Sequence, residues 1–452
     1  MTDSRQNLVL VSIDSLRADH CGYLGDDRGL TPTLDEMAGD GVAFEAAVAP
    51  GPQTFSSMPA VFTGVPRPAD ETLDGYPGDS HWERRLAAVD EHLARHPSLP
   101  ERLRERGYAT AGFSPNPWTS TASGFDRGFD RFVDVSGHEG DGRLRRLAER
   151  APLVDTDSKR VELALDALTG SSFFASWESF YDRVDAARRR LPEPYFLWVF
   201  LLDTHFPFLP GRAHRVESSL FGSYLATLRS EGAMRGDETE LSPSVGEAVR
   251  RSYRDTVRAV DAFLDRLRAD AAGDDPAIVV HADHGESFGE HGNYGHHHRE
   301  VYEENVHVPY VVDGVEVTAR VTDPTSLTTI PDLALSLAEG GRIEVPELTG
   351  SRRLDRAGSA RLDRANDAPP VARSECGAHR AVRGRRYKCV DGRDATALYD
   401  LRTDPDETED VAAANPELVR GARERLARAE GHADEHAALA VAARVFAAHA
   451  DW

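Results

Sequence analysis

Three short stretches of the chain are almost continuously apolar, and each runs straight into ionisable residues. Asn7 to Ile13 (NLVLVSI) leads into Asp14, Tyr195 to Leu202 (YFLWVFLL) into Asp203, Thr204 and His205, and Ala277 to His281 (AIVVH) into Ala282, Asp283 and His284. Brief runs rich in Val, Ile, Leu and aromatic residues predict strands buried on both faces of a parallel sheet. Open α/β sheets bind ligands beyond the carboxyl ends of their strands. The pattern therefore delivers carboxylates and imidazoles from three remote segments to one end of a sheet.

Between these runs the apolar spacing is helical. Thr33 to Gly39 is one such stretch; Ser98 to Arg106 is another, with Ser98 as N-cap and Gly107 as the stop, leading to a strand at Ala109 to Phe113. Ser244 to Ala272 sets Val249, Val257, Val260, Phe263, Leu264 and Leu267 on one face. Alternating strands and helices predict an α/β fold, a mostly parallel central sheet flanked by helices. Val65–Pro97 and Val135–Pro194 read as insertions, and the arginines of the second, within Arg143–Arg150 and Arg183–Arg190, as solvated helix faces. After a helix at Ser326 to Ala338 the pattern changes. Arg342 to Pro370 is polar, and Val371–Ser374, Ala378–Val382, Tyr387–Val390 and Ala397–Leu401 alternate like short antiparallel strands before alanine-rich helix at Pro416–His449. The division is a larger domain over residues 1–344 and a smaller C-terminal α+β domain over 345–452.

Composition narrows the class. With 40% hydrophobic residues in 452, the chain can bury a sizeable core. It carries 53 Lys+Arg against 76 Asp+Glu, a formal charge of −23, which disfavours a nucleic-acid binder. Only Lys159 and Lys388 are lysines, leaving 51 arginines. An acidic, lysine-poor surface suits a high-salt cytoplasm, because at molar salt the Debye length falls to about 3 Å and the coat stops repelling itself. Cys21, Cys376 and Cys389 form no disulfide or metal framework, as expected in a reducing compartment. Met1 to Gln6 lacks a leader pattern, and the longest apolar run, Tyr195–Leu202, falls far short of the ~20 residues of a spanning helix. A cytoplasmic protein without a membrane span is expected.

Asp14, Asp283 and His284 are hard oxygen donors plus one imidazole, a set that suits a divalent cation and lacks the thiolates of a structural zinc site. A lone Asp at a strand end often caps a helix. The pair Asp283-His284 followed by Gly285-Glu286 has little packing rationale of that kind.

LVSIDSLRADH (Leu10 to His20), TPTLDEMAGDGVAFEAAVAPGPQTFSSMPAVFTG (Thr31 to Gly64), FLLDTHFPF (Phe200 to Phe208), IVVHADHGESFGEHG (Ile278 to Gly292) and YEENVHVPYVV (Tyr302 to Val312) resemble the sulfatase family of the alkaline phosphatase superfamily, in the family's order. AVRGRRYKCV (Ala381 to Val390) and ALYDLRTDPDETEDVA (Ala397 to Ala412) are similar to its closing module. The resemblance implies a metal site of Asp14, Asp283 and His284 facing a nucleophile before Thr63-Gly64. Sulfatases proper use formylglycine, made in a Cys/Ser-x-Pro-x-Arg motif. Here the position falls on Thr54, within Thr54-Phe55-Ser56-Ser57-Met58, and the motif is absent. A threonine resembles instead the phosphodiesterases and phosphoglycerol or phosphoethanolamine transferases of the superfamily, in which a metal-activated Thr takes up the phosphoryl group; Ser56 is the competing nucleophile.

The other implied roles follow the same motifs. Asp14-Ser15 replaces the usual Asp-Asp pair, which favours manganese or magnesium over calcium. His205 is the expected general acid. Asp203 would orient it or help hold a second ion, while His296 or His297 would contact substrate and Asn116 lies where relatives place polar substrate contacts. Arg17 would hold an anionic oxygen or pair with Asp19 or Asp40. The expected protein is a hydrolase of small anionic phosphate or sulfate esters that uses one divalent metal ion, with a second possible in principle. The alternatives are a true sulfuric ester hydrolase and a degenerate binding protein.

Overall fold

The computed structural model describes residues 5–67, 79–135, 175–236, 240–296, 300–340, 372–377, 379–392 and 395–427. Strands β1 (Leu8–Ile13), β2 (Val42–Phe44), β3 (Ala109–Ser114), β4 (Arg131–Asp134), β5 (Tyr195–Leu201), β6 (Ala277–Ala282), β7 (Tyr310–Asp313) and β8 (Ala319–Val321) form an 8-stranded sheet. Its order is β8-β2-β7-β6-β1-β5-β3-β4. The run from β6 to β4 is parallel, whereas β7 lies antiparallel to both β6 and β2. Every residue of β1, β5 and β6 is buried, as their continuous apolar runs predict.

Helices α1 (Pro32–Asp40), α2 (Thr54–Thr63), α3 (Asp79–Arg95), α4 (Leu99–Glu105), α5 (Trp177–Arg188), α6 (Leu220–Met234), α7 (Pro243–Ala271) and α8 (Ile330–Ala338) pack around the sheet. The Glu101 carboxylate accepts both the backbone N–H and the hydroxyl of Ser98, fixing the start of α4, and Gly107 follows its end at φ +81°. The six apolar positions expected on one face of α7 are all buried. All of α2 is buried, which holds its N-terminus rigidly beneath the site described below.

Within the 65–97 stretch, read as an insertion, α3 packs on α2 and buries Val89, Leu93 and Arg85. The Arg85 guanidinium lies 4.6 Å from the Phe55 ring centroid, so a charged helix hides an apolar stripe. Contrary to expectation, Arg188 is not solvated. It is 4% exposed and pairs with Asp185 and Asp274.

At the C-terminus, β9 (Ala372–Cys376), β10 (His379–Arg383), β11 (Tyr387–Asp391) and β12 (Thr396–Asp400) form a 4-stranded antiparallel sheet in chain order. Residues 416–427 are helical. The rest of the expected 416–449 helix, the 344/345 boundary and most of the 135–194 stretch lie outside the described residues. The three cysteines are free and buried. Among the described residues no helix is long and apolar enough to cross a membrane.

Candidate active site

Adjacent parallel strands end together, so β6, β1, β5 and β3 present their following residues side by side. Ile13 is in register with both Ala282 and Leu201, and the ladder continues one step further through Asp14 N–H to Leu201 O (2.9 Å) and Asp283 N–H to Ile13 O (3.0 Å). The Thr204 hydroxyl donates to the Asp14 carbonyl, tying the end of β5 to that of β1. Asp14, Asp283 and His284 emerge together with 0% exposure.

The chain leaves β1 through a strained residue. Ser15 has φ +58°, in the left-handed region. Its N–H donates to Asp283 Oδ1 (3.3 Å) and its hydroxyl to Asp14 Oδ1 (2.9 Å), so the conformation serves both carboxylates. The buried Tyr253 of α7 holds the turn, donating its hydroxyl to Ser15 O (2.7 Å) and accepting Arg17 N–H (3.0 Å). Tyr253→Phe leaves both backbone groups unmet inside the protein. It is expected to destabilise by about 1–3 kcal/mol, read as a lower urea midpoint at unchanged slope; an unchanged midpoint contradicts the clamp.

The cluster has the chemistry of a cation site. One ligand atom from each of Asp14, Asp283 and His284 lies within 4.8 Å of the others. His284 Nδ1 donates to Gly285 O (2.7 Å), which leaves the Nε2 lone pair facing the carboxylates, 3.6 Å from Asp14 Oδ1 and 3.7 Å from Asp283 Oδ2. Asp283 Oδ2 is buried without a hydrogen-bond partner. Burial, and then the neighbouring Asp14 charge, push the Asp283 carboxyl well above its ordinary range. Burial pushes Asp14 up as well, but the imidazoles of His205, His284 and His296 outweigh it and hold Asp14 below its ordinary value. Two carboxylates in a closed site with an orphaned oxygen and an aimed imidazole fit a divalent ion. Gly285 is required here: a Cβ would overlap the Glu304 carbonyl oxygen.

Thr54 opens α2 directly at this cluster. Its Oγ1 lies 3.4 Å from Asp14 Oδ2 and 3.3 Å from His284 Nε2. Asn116, just beyond β3, places Nδ2 2.8 Å from Asp14 Oδ2 and 3.5 Å from Thr54 Oγ1, while its Oδ1 accepts the Trp118 N–H. The Ser56 hydroxyl is turned away, donating to Gln53 O at 2.8 Å.

The histidines form a second row. The His296 ring centroid lies 4.6 Å from that of His284 and 5.1 Å from that of His205. His205 Nδ1 meets the Phe206 carbonyl. His297 lies outside the described residues. The remaining two candidates sit differently. Arg17 pairs with Asp19 (2.6 Å) and Glu290 (2.8 Å) and donates to Glu286 O, while Asp40 pairs with Arg268. The Asp203 carboxylate accepts the Trp177 N–H (3.3 Å) at the start of α5, and burial, with Glu178 nearby, pushes it up to about 8.

Contacts that sequence reasoning missed complete the site. The fully buried Glu286 sets its oxygens 3.1 and 3.2 Å from His296 Nδ1, and Gln53 donates to His296 O (3.0 Å). Glu286 follows His284 by two residues in a glycine-flanked loop, the one signal that could have flagged it. Gln53, Thr204 and Tyr253 carry no such signal.

The sequence model described as Sulfatase matches residues 6–337. The chain belongs to the sulfatase family. An arylsulfatase from Clostridium perfringens is 32% identical to this sulfatase-family chain over 87 residues, which span 19% of the chain and 18% of that relative. Among solved structures, a phosphonate monoester hydrolase of Agrobacterium radiobacter is similar with TM-score 0.66 at 19% identity, over 95% of this chain and 96% of the other. A protein solved in complex with its substrate D-glucosamine-2-N,6-O-disulfate is similar with TM-score 0.65 at 14% identity, over 96% and 99% of the two chains. These likenesses establish the shared fold, a large mixed sheet with a small antiparallel sheet at its C-terminus.

Proposed function

We propose that this sulfatase-family chain is a metal-dependent hydrolase of phosphate or phosphonate esters with Thr54 as nucleophile. The observation that carries the reading is the Thr54 hydroxyl held 3.3–3.4 Å from His284 and Asp14 at the buried N-terminus of α2. Asp14, Asp283 and His284 would hold a divalent cation, manganese or magnesium in preference to calcium, which would supply Lewis-acid activation of that hydroxyl and charge neutralisation at the transferring group.

The chain's own residues do the rest. The Oγ1–phosphorus bond forms in line as the bond to the leaving alcohol oxygen breaks, with the hydroxyl proton released to solvent. His205 Nε2 protonates the leaving oxygen. His296, fixed by Glu286, and Asn116 hold the non-bridging oxygens. Water then attacks phosphorus in phosphothreonine and returns Thr54 to its hydroxyl form.

The arylsulfatase match and the disulfate-bound neighbour support a sulfate-ester reading, but position 54 has neither Cys nor Ser for formylglycine. Manganese-loaded protein assayed in molar salt on p-nitrophenyl phosphate, bis-p-nitrophenyl phosphate, p-nitrophenyl phenylphosphonate and p-nitrophenyl sulfate tests the choice. The best phosphorus ester should exceed the sulfate by about tenfold or more in kcat/KM, some 1.4 kcal/mol of barrier. A sulfate preference overturns the reading.

The −23 charge bears on the same assay. An acidic surface repels anionic substrates in dilute buffer, and added salt screens that long-range term while leaving the buried site intact. kcat/KM should therefore rise from about 0.1 M salt toward the molar range. A monotonic fall contradicts adaptation to high salt.

A further inference from the structure

In a chain with 51 arginines and two lysines, Lys388 of β11 is 0% exposed. Its Nζ lies 3.1 Å from Glu303 Oε1 and 3.0 Å from Glu407 Oε1. Glu303 also takes Arg383 Nε on its other oxygen (2.8 Å), and Glu407 accepts the backbone N–H of Glu303 (2.6 Å). Glu407 is 2% exposed and sits at φ +54°, a left-handed conformation that a glutamate adopts only when its surroundings impose it. A compact ammonium on a flexible stem fits between two carboxylates where the planar fork of arginine does not.

What this clamp grips is the helical turn Glu303–Val306, and that turn supports the candidate cation site. Gly285 N–H donates to Asn305 O (2.8 Å), Glu286 N–H to Glu304 O (3.0 Å) and the Ser287 hydroxyl to Asn305 Oδ1 (3.0 Å), so the loop carrying His284 is hung on it. The same region reaches the segment before Thr54: Ala49 N–H donates to Val306 O (2.9 Å), and Glu375 N–H of β9 to Pro50 O (2.9 Å). The C-terminal sheet therefore touches the supports of both halves of the site.

We propose that Lys388, held by Glu303 and Glu407, is a positioning residue: it locks the turn 303–306 to the C-terminal sheet and thereby sets His284 against Asp14 and Asp283. The inference rests on those three residues being the cation site.

The test uses the full chain. Glu407→Gln keeps the shape and leaves Lys388 and Arg383 to share Glu303; Lys388→Met combined with Glu407→Gln removes the clamp with one cation and one carboxylate left in balance. Leu398→Ala, which cuts into the small core of Cys389, Leu398 and Ala422 in the C-terminal module, controls for plain destabilisation. Manganese is titrated calorimetrically into metal-stripped protein, and kcat and KM are measured on the best p-nitrophenyl ester. Kd for manganese should rise about threefold in Glu407→Gln and about tenfold or more in the double variant, the scale found when the supports of metal ligands are altered. kcat should fall by more than KM rises, because the turn holds the His284 loop directly through Gly285 and reaches the substrate contact His296 only through Glu286. Leu398→Ala should keep the parental Kd despite a lower Tm. A folded double variant with the parental Kd overturns the proposal, as does an equal loss in Leu398→Ala. If the double variant does not fold, a parental Kd in Glu407→Gln overturns it. A parent that turns over no ester but shows these Kd shifts would sink the hydrolase reading and leave the clamp standing.

Discussion

Thr54→Ala should lower kcat on a phosphorus ester by about 10⁴-fold, the scale of losing a covalent nucleophile from a site whose other parts remain. The argument is geometric. Thr54 Oγ1 is the hydroxyl that meets both Asp14 and His284, and its backbone is locked into a helix buried along its whole length. KM should change little, since the donors from Asn116, His205 and His296 survive. Ser56→Ala should leave kcat within about threefold, because that hydroxyl is spent on the Gln53 carbonyl. Full activity in Thr54→Ala would transfer the role elsewhere, with Ser56 next in line.

Asp283→Asn should have two effects of opposite sign. Manganese affinity and turnover should fall by about 10³-fold or more, because the variant loses one of three ligands and one of two charges that hold the ion. The metal-free protein should instead become more stable by about 1 kcal/mol, since the substitution removes a buried carboxylate crowded by Asp14. The substituted amide retains an oxygen for the N–H groups of Ser15 and His284, and its nitrogen supplies a donor for Asp14 where Asp283 Oδ2 has no partner. Loss of stability in the metal-free variant, measured by urea unfolding in chelator, would mean that Asp283 is a structural residue.

Much of this candidate site is legible in the sequence because the residues that could hold a cation stand at the ends of buried strands. A run such as NLVLVSI has one plausible place in an α/β fold, and Asp14 follows it directly. The same holds for Asp283 and His284. Thr54 is legible only through its spacing to Thr63-Gly64 in the family pattern. Nearness in sequence misleads where the backbone turns sharply. Beyond the left-handed Ser15, Arg17 pairs with Asp19 as the sequence allowed but also with the remote Glu290, and Asp203, two residues before His205, accepts the Trp177 N–H at the start of α5. Glu286 is marked only by its place two residues after His284, and the supports Gln53 and Tyr253 are not readable, because each acts on a residue that only the folded sheet brings near. The burial of α3 was obscured in a similar way, its apolar stripe of Val89 and Leu93 diluted by charges that pack along their stems.

The central claim is that Thr54 itself carries the group removed from substrate. It is tested most directly by quenching manganese-loaded protein in acid during turnover of the best p-nitrophenyl phosphorus ester and mapping the peptide of residues 50–65 by mass spectrometry. The predicted result is an unmodified peptide before substrate and one phosphoryl group, or its phosphonate counterpart, on Thr54 during turnover, absent from Thr54→Ala. An aldehyde at position 54, or the group found on Ser56, would contradict it.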